Sequence, residues 1–170
     1  MKFKLILTAV LFVAFPFFGR SQSNIPAKTF TVKELLMLLD SLPGEKITDY
    51  MLEHGFMFEN KGNVYAPSYK GPVKDAYTLR YLKNKKHFII SFYSNRKYLV
   101  NYFLESDQDL DSLITGFSPA GFNLTGHKDS MKFYDSSNSR YSITITRLPT
   151  FKVFSLADMT VVEKYKLMPF

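Results

Sequence analysis

The chain of 170 residues contains no cysteine. That absence excludes disulfides, thiolate metal sites and a cysteine nucleophile together, and it leaves no attachment point for a lipoprotein anchor. Chemical motifs are equally scarce. No serine stands in a G-x-S-x-G elbow, no histidine has the H-E-x-x-H spacing of a zinc site, and no glycine-rich phosphate loop occurs. The usual marks of hydrolase, metalloenzyme and nucleotide chemistry are therefore missing, and no cofactor and no metal are expected. A strong charge imbalance is missing too. The formal charge is +7, falling to +4 if Lys2, Lys4 and Arg20 leave with an N-terminal leader. That excess is ordinary for solubility and unlike the basic balance of nucleic-acid binders, so nucleic acid is not an expected partner.

What is present begins with an export signal. Met1-Lys2-Phe3-Lys4 is a short basic start, residues 5–18 are an almost unbroken apolar run, and Gly19, Ser21 and Ser23 are small residues suited to a signal peptidase. The run is shorter than the roughly 20 apolar residues of a spanning helix, and Pro16 interrupts it. Cleavage is expected after Ser21, with a cut after Ser23 or an uncleaved anchor as alternatives. A mature end at Gln22 resembles those of exported Bacteroidota proteins. The expected organisation is a signal peptide at 1–21, a tether at 22–29 and one domain at 30–170, periplasmic or secreted, with no transmembrane segment after cleavage. Held together by burial alone, about 150 residues still suffice for one core. A bacterial compartment suits such a chain better than a disulfide-rich eukaryotic one.

Patterning points to an α+β domain. Thr31 and Glu34 have the spacing of a capping box. Leu35, Leu36, Leu38, Leu39 and Leu42 then form an apolar helical stripe that Pro43-Gly44 ends. A second helix is expected from about 45 to 54, with Ile47, Tyr50, Met51 and Leu52 available for burial and Gly55 as its left-handed stop. Strands rich in Tyr, Phe, Ile and Val follow at 76–82, 87–93 and 98–104, alternating so that Tyr77, Leu79 and Tyr81, then Phe88, Ile90 and Phe92, then Tyr98, Val100, Tyr102 and Leu104 share faces. A helix near Ser106-Asp107, the segment Gly121-Phe122-Asn123-Leu124 and strands at 131–134, 141–147 and 151–156 repeat the order of helix, Gly-Phe-x-apolar and three strands. The expected fold is an antiparallel sheet covered on one face by helices, with two tandem α-β-β-β units at 30–105 and 106–158 as a further possibility. This plan resembles secreted inhibitor and envelope-assembly modules such as the β-lactamase-inhibitor-protein-like fold, a likeness of plan that carries no function.

Candidate chemistry is thin. Asp107, Asp109 and Asp111 resemble the start of a calcium loop, but Ser112 replaces the turn glycine and Ser118 the bidentate glutamate. Carboxylates complementing a helix N-terminus are the better account. His54, His87 and His127 lack partners at metal spacing; Glu53 and Glu59 near His54 form at most an ordinary surface group. Asp40-Ser41-Leu42, Asp111-Ser112-Leu113 and Asp129-Ser130-Met131 resemble a short bacterial O-glycosylation signal, and of these the third, in a loop, is accessible.

One cluster stands out. Eight basic residues and a single acid, Asp75, occur from Lys70 to Lys97, interleaved with Tyr77, Tyr81 and Tyr93. Arg80, Lys83, Lys85, Lys86, Arg96 and Lys97 are the candidate partner-binding residues, facing an anionic envelope component or another envelope protein. The competing account is a solvated sheet edge protected by lysines. The expectation is an exported non-catalytic binding protein of the bacterial cell envelope, with a small envelope hydrolase carrying an unmarked active site as the alternative.

Overall fold

The computed structural model describes residues 29–65, 71–165 and 167. The expected signal peptide, and the expected tether as far as residue 28, lie outside them. The first helix, α1 (Val32–Asp40), starts where both halves of the capping box form. The Glu34 amide donates to Thr31 Oγ1 at 3.2 Å, and the Thr31 amide donates to Glu34 Oε2 at 2.8 Å. A cap of this kind is worth about 1 kcal/mol. Val32, Leu35, Leu38 and Leu39 are its buried side chains. A 3-10 turn, Gly44–Lys46, leads into α2 (Ile47–Glu53), so the expected second helix is a turn followed by a short α-helix.

Eight antiparallel strands form one sheet: β1 (Met57–Tyr65), β2 (Pro72–Lys83), β3 (Lys86–Tyr93), β4 (Arg96–Leu104), then, after α3 (Asp107–Ile114), β5 (Phe122–Lys128), β6 (Met131–Ser136), β7 (Tyr141–Arg147) and β8 (Lys152–Asp158). The order across the sheet is β1-β2-β3-β4-β8-β7-β6-β5. Each Gly-Phe segment thus opens a strand of its own, where three strands were expected to follow each helix. The sequence hides β1 and β5 because they are the sheet edges. Glu59, Asn60, Lys61 and Asn63 in β1 and Asn123, Leu124 and Thr125 in β5 are exposed, so no apolar alternation marks them.

Helix α4 (Met159–Tyr165) was also not foreseen. It starts at a buried cap: Asp158 Oδ1 accepts from the Thr160 amide at 3.0 Å and from Thr160 Oγ1 at 2.6 Å. Two apolar clusters result. One joins α1, α2 and α3 to Tyr81, Phe88, Ile90, Phe92, Val100, Tyr102, Leu104, Ile143, Ile145, Phe154 and Leu156. The other joins Val161 and Val162 of α4 to Val73, Ala76, Tyr98, Leu99 and Ala157. Because Leu99 and Val100, and Leu156 and Ala157, are strand neighbours, the two clusters lie on opposite faces. Helices therefore meet both faces of the sheet, with α4 alone on the second.

Tyr98 departs from its expected face. Ser91 pairs with Leu99 but Phe92 pairs with Lys97, which leaves Tyr98 as the extra residue of a bulge. It joins the α4 cluster, where it bonds Ser91, and Lys97 turns instead toward α1. The halves meet where β4 pairs with β8, and there the buried Ser155 Oγ donates to Asn101 Oδ1 at 2.7 Å.

Candidate functional site

The sheet geometry separates the candidate basic residues. Strands β2, β3 and β4 are antiparallel, so the β2–β3 turn with Lys83, Lys85 and Lys86 and the β3–β4 turn with Arg96 and Lys97 lie at opposite ends of β3. Eight strand residues stand between them, roughly 25 Å.

Most of the six are also committed to neighbours. Lys83 Nζ donates to the His54 carbonyl at 2.6 Å, closing the C-terminal end of α2 where helix carbonyls lack partners, and it lies 5.8 Å from the centre of the Phe56 ring. Burial, aided by the charge of Lys86, holds its pKa below the usual lysine value. Lys86 Nζ is 2.5 Å from Asp109 Oδ2. Lys97 Nζ donates to the Leu42 carbonyl; burial lowers its pKa, with Asp40 opposing. Arg80 Nε lies 3.8 Å from Glu59 Oε2, a carboxylate it shares with His87 Nδ1 at 3.9 Å. Lys85 and Arg96 remain, both exposed and without a partner among the described residues. Lys70 lies outside those residues.

The acidic start of α3 explains part of this. Asp107 accepts from Arg147 Nη1 at 3.0 Å and stands 3.2 Å from Lys152 Nζ, while Asp111 takes Arg147 Nη2 at 3.4 Å. Asp109 binds Lys86 and accepts from Thr29 Oγ1 at 3.2 Å and, through its amide, bonds the Ser106 cap at 3.1 Å. Burial works against the charged form of Asp109, but Lys86, Ser106 and Thr29 together outweigh it and hold the carboxyl below its ordinary value. The triad that resembled a calcium loop is thus a junction of cations from both halves of the sheet. Among the described residues, no group of three His, Asp or Glu side chains is placed to hold a metal.

The histidines are spread apart. His54 caps α2, its Nδ1 is 2.9 Å from the Tyr50 carbonyl, and its ring stacks on Phe30 at 4.7 Å. Glu59 faces His87 instead of His54. Tyr50 is pushed up to about 12, first by burial and then by the charges of Glu34 and Glu53. One motif was missed in the sequence: Ser94-Asn95-Arg96-Lys97 spells S-x-x-K, the spacing of an acyl-enzyme serine and its lysine. In the fold it forms the β3–β4 turn, with Ser94 at φ 46° and Asn95 at φ 63°, and the lysine amine sits on the Leu42 carbonyl. A tight hairpin with both central residues left-handed is reason enough for this segment.

Concavities open to solvent among the described residues include one of about 470 Å³ lined by Lys61, Asp75, Ala76, Tyr77, Ser94 and Asn95, one of about 280 Å³ lined by Leu36, Phe122, Ser137 and Tyr141 among others, and one of about 190 Å³ that includes His127, Asp129 and Arg147. Asp129 and Ser130 form the exposed β5–β6 turn, whereas Leu113 is buried and Leu42 packs against the core.

A different surface emerges at the junction of α2 and β1. Leu52 is 61% exposed, Met57 69% and Phe58 50%. The sequence had counted Leu52 among residues for burial; the short α2 turns it outward. Met57 pairs with Leu82 near the turn that carries Lys85, while Phe58 pairs with Tyr81 and projects from the opposite face of the sheet, its ring 5.7 Å from that of Tyr81. No periodicity could mark this surface, because its members come from a helix end and an edge strand. Comparison with family models, curated proteins and solved structures finds no significant match for this chain. Among the described residues, no helix is long and apolar enough to cross a membrane.

Proposed function

We propose that the chain is an exported, non-catalytic binding protein of the bacterial cell envelope. The observation that carries the reading is the exposure of Leu52, Met57 and Phe58 where α2 leads into the edge strand β1, close to the β2–β3 turn whose Lys85 has no partner among the described residues. Apolar side chains exposed at a sheet edge near an exposed lysine suit recognition of an anionic, partly apolar partner. Of the six basic residues, Lys85 and Arg96 are available to a partner, while Arg80, Lys83, Lys86 and Lys97 hold the structure that presents them.

We further read the domain as two tandem units of one helical segment and four strands, α-β-β-β-β, joined at β4 and β8. The palindromic strand order supports this. So do the two Gly-Phe turns: Gly55 has φ 79° and Gly121 φ 81°. In each, the phenylalanine amide bonds the carbonyl five residues back and the glycine amide the one three back.

Retention on isolated cell-envelope fractions tests the binding reading. Lys85→Glu is expected to reduce retention and its salt dependence, since exposed charges are screened over about 8–10 Å at ordinary ionic strength. Reversal at Lys86 is avoided because it would break the contact with Asp109. Unchanged retention and salt dependence in Lys85→Glu would discard the reading.

A further inference from the structure

We infer that the concavity where a bulge of β2 at Asp75 meets the β3–β4 turn binds a saccharide, with the Tyr77 ring as its platform and Asp75, Ser94, Asn95 and Lys61 bonding its hydroxyl groups. The site is a second one, beyond the binding reading above and independent of it. It lies at the other end of β2 from Leu82 and the turn with Lys85, roughly 24 Å away along the strand. The backbone brings its side chains together. Between the pairs Asn63–Tyr77 and Tyr65–Pro72 the register shifts, so that Val64 of β1 stands against residues 73–76 of β2. In that bulge Asp75 takes φ 61°, and its carbonyl accepts from the Ser94 amide at 2.9 Å, beside the left-handed Ser94 and Asn95 of the turn. The tight hairpin accounts for Ser94 and Asn95, but Asp75 lies inside a strand, where no turn asks for its conformation. Bulges re-aim side chains and are over-represented beside active sites, and left-handed residues other than glycine gather at ligand clamps.

Polar groups without partners converge there. Asp75, Ser94 and Asn95 are exposed, and their side chains have no hydrogen bond or ion pair among the described residues. With Lys61, Ala76 and Tyr77 they line a volume of about 470 Å³, within the range of about 300–1,000 Å³ usual for small-molecule sites. Tyr77 supplies a flat wall. Phe92 stacks on it with ring centres 4.6 Å apart and planes at 7°, and Lys61 Nζ lies 4.0 Å from the ring centre. The two groups cannot share a face at those distances, so an exposed lysine covers the outward face, and an exposed amine leaves such a place at little cost. The ligand follows from this set of groups. An ionised Asp75 only accepts, the Lys61 ammonium only donates, and the Asn95 amide and Ser94 hydroxyl do both, so the occupant must offer donors and acceptors side by side, as hydroxyl groups do. The C–H face of a sugar ring, positive at its hydrogens, suits the negative face of Tyr77. A wholly apolar ligand would cover four polar side chains and leave them unpaired.

The test is NMR titration of isotope-labelled protein with the methyl glycosides of glucose, galactose, mannose and glucuronic acid, read at the amide signals of Asp75, Ser94 and Asn95. Acetate and ethanolamine at equal concentration serve as ionic controls. At least one glycoside is expected to give saturable shifts at these amides with a millimolar Kd, as suits an open site, and the controls none. Asp75→Gly and Asn95→Gly each remove a polar group where glycine takes the same backbone without strain. Each should weaken binding at least tenfold while melting no lower than the parent, which a side chain kept for structure would not allow. The inference is overturned if no glycoside gives saturable shifts there, if acetate or ethanolamine shifts the same amides as strongly, or if the glycine variants bind as the parent does. If Asp75→Gly does not fold, the binding of Asn95→Gly decides that last point in its place.

Discussion

The two Gly-Phe turns show how one backbone device serves two surroundings. Gly55-Phe56 and Gly121-Phe122 share their left-handed glycine and their hydrogen bonds, and both phenylalanines are 2% exposed in the same cluster. Their neighbours differ. Phe56 sits in a nest of rings, 5.8 Å from Phe30, 5.8 Å from Phe88 and 6.1 Å from Tyr102, whereas Phe122 has Phe117 at 6.5 Å as its ring contact. A Cβ at Gly55 would stand 2.7 Å from Lys83 Nζ, while one at Gly121 would meet Ser137 Oγ at an ordinary 3.7 Å. The first turn is thus built into the nest and roofed by a lysine; the second is open. Beyond the first turn the strand exposes Met57 and Phe58, beyond the second Leu124. Likeness of backbone does not make likeness of surface.

Substitutions can break this comparison, starting with the phenylalanines. Phe56→Ala and Phe122→Ala should each destabilise by about 3–5 kcal/mol, with Phe56 the costlier because its cavity opens between packed rings that cannot all collapse. Chemical denaturation measures both, and equal losses would mean that the ring nest adds nothing beyond burial.

Acid should act next, through the junction at α3. The pKa of Asp109 is lowered in the fold, so its contribution is present above the ordinary carboxylate range, near pH 4, and is lost as pH falls through the lower folded value. Asp109→Asn should reduce stability at neutral pH and flatten the acid limb of a melting-temperature profile. A limb of unchanged steepness would place the titrating group elsewhere.

Smaller effects separate the glycines. Gly55→Ala and Gly121→Ala should each cost about 1 kcal/mol for a side chain at positive φ. Gly55→Ala should cost somewhat more, because the Lys83 amine must also move off the His54 carbonyl. Smallest of all, Lys85→Glu should change stability by less than about 0.5 kcal/mol, as expected of an exposed turn residue. A larger loss would show that Lys85 has a structural role.

Local chemistry made much of the fold legible. The capping box at Thr31 and Glu34, the leucine stripe of α1, the Ser106 cap of α3, the stop at Gly55 and the six inner strands all follow from interactions within a few residues or from an apolar alternation that burial enforces. The edge strands β1 and β5 carry no such alternation, because half their environment is water. The start of α4 depends on the buried carboxylate of Asp158, whose other partner, Arg140 at 3.3 Å, also reaches Asp40 at the end of α1.

The candidate surface was less legible still. By itself the sequence determined where cations are dense, not which of them are free. Folding put Lys83, Lys86 and Lys97 on a carbonyl, a carboxylate and a second carbonyl contributed by distant segments, and the antiparallel path of β3 carried the two basic turns to opposite ends of the sheet. The physical reason is range. Caps and strand periodicity are settled between residues a few positions apart, while the partner of a lysine and the exposure of Leu52, Met57 and Phe58 depend on which remote elements arrive beside them, and that only the tertiary structure decided.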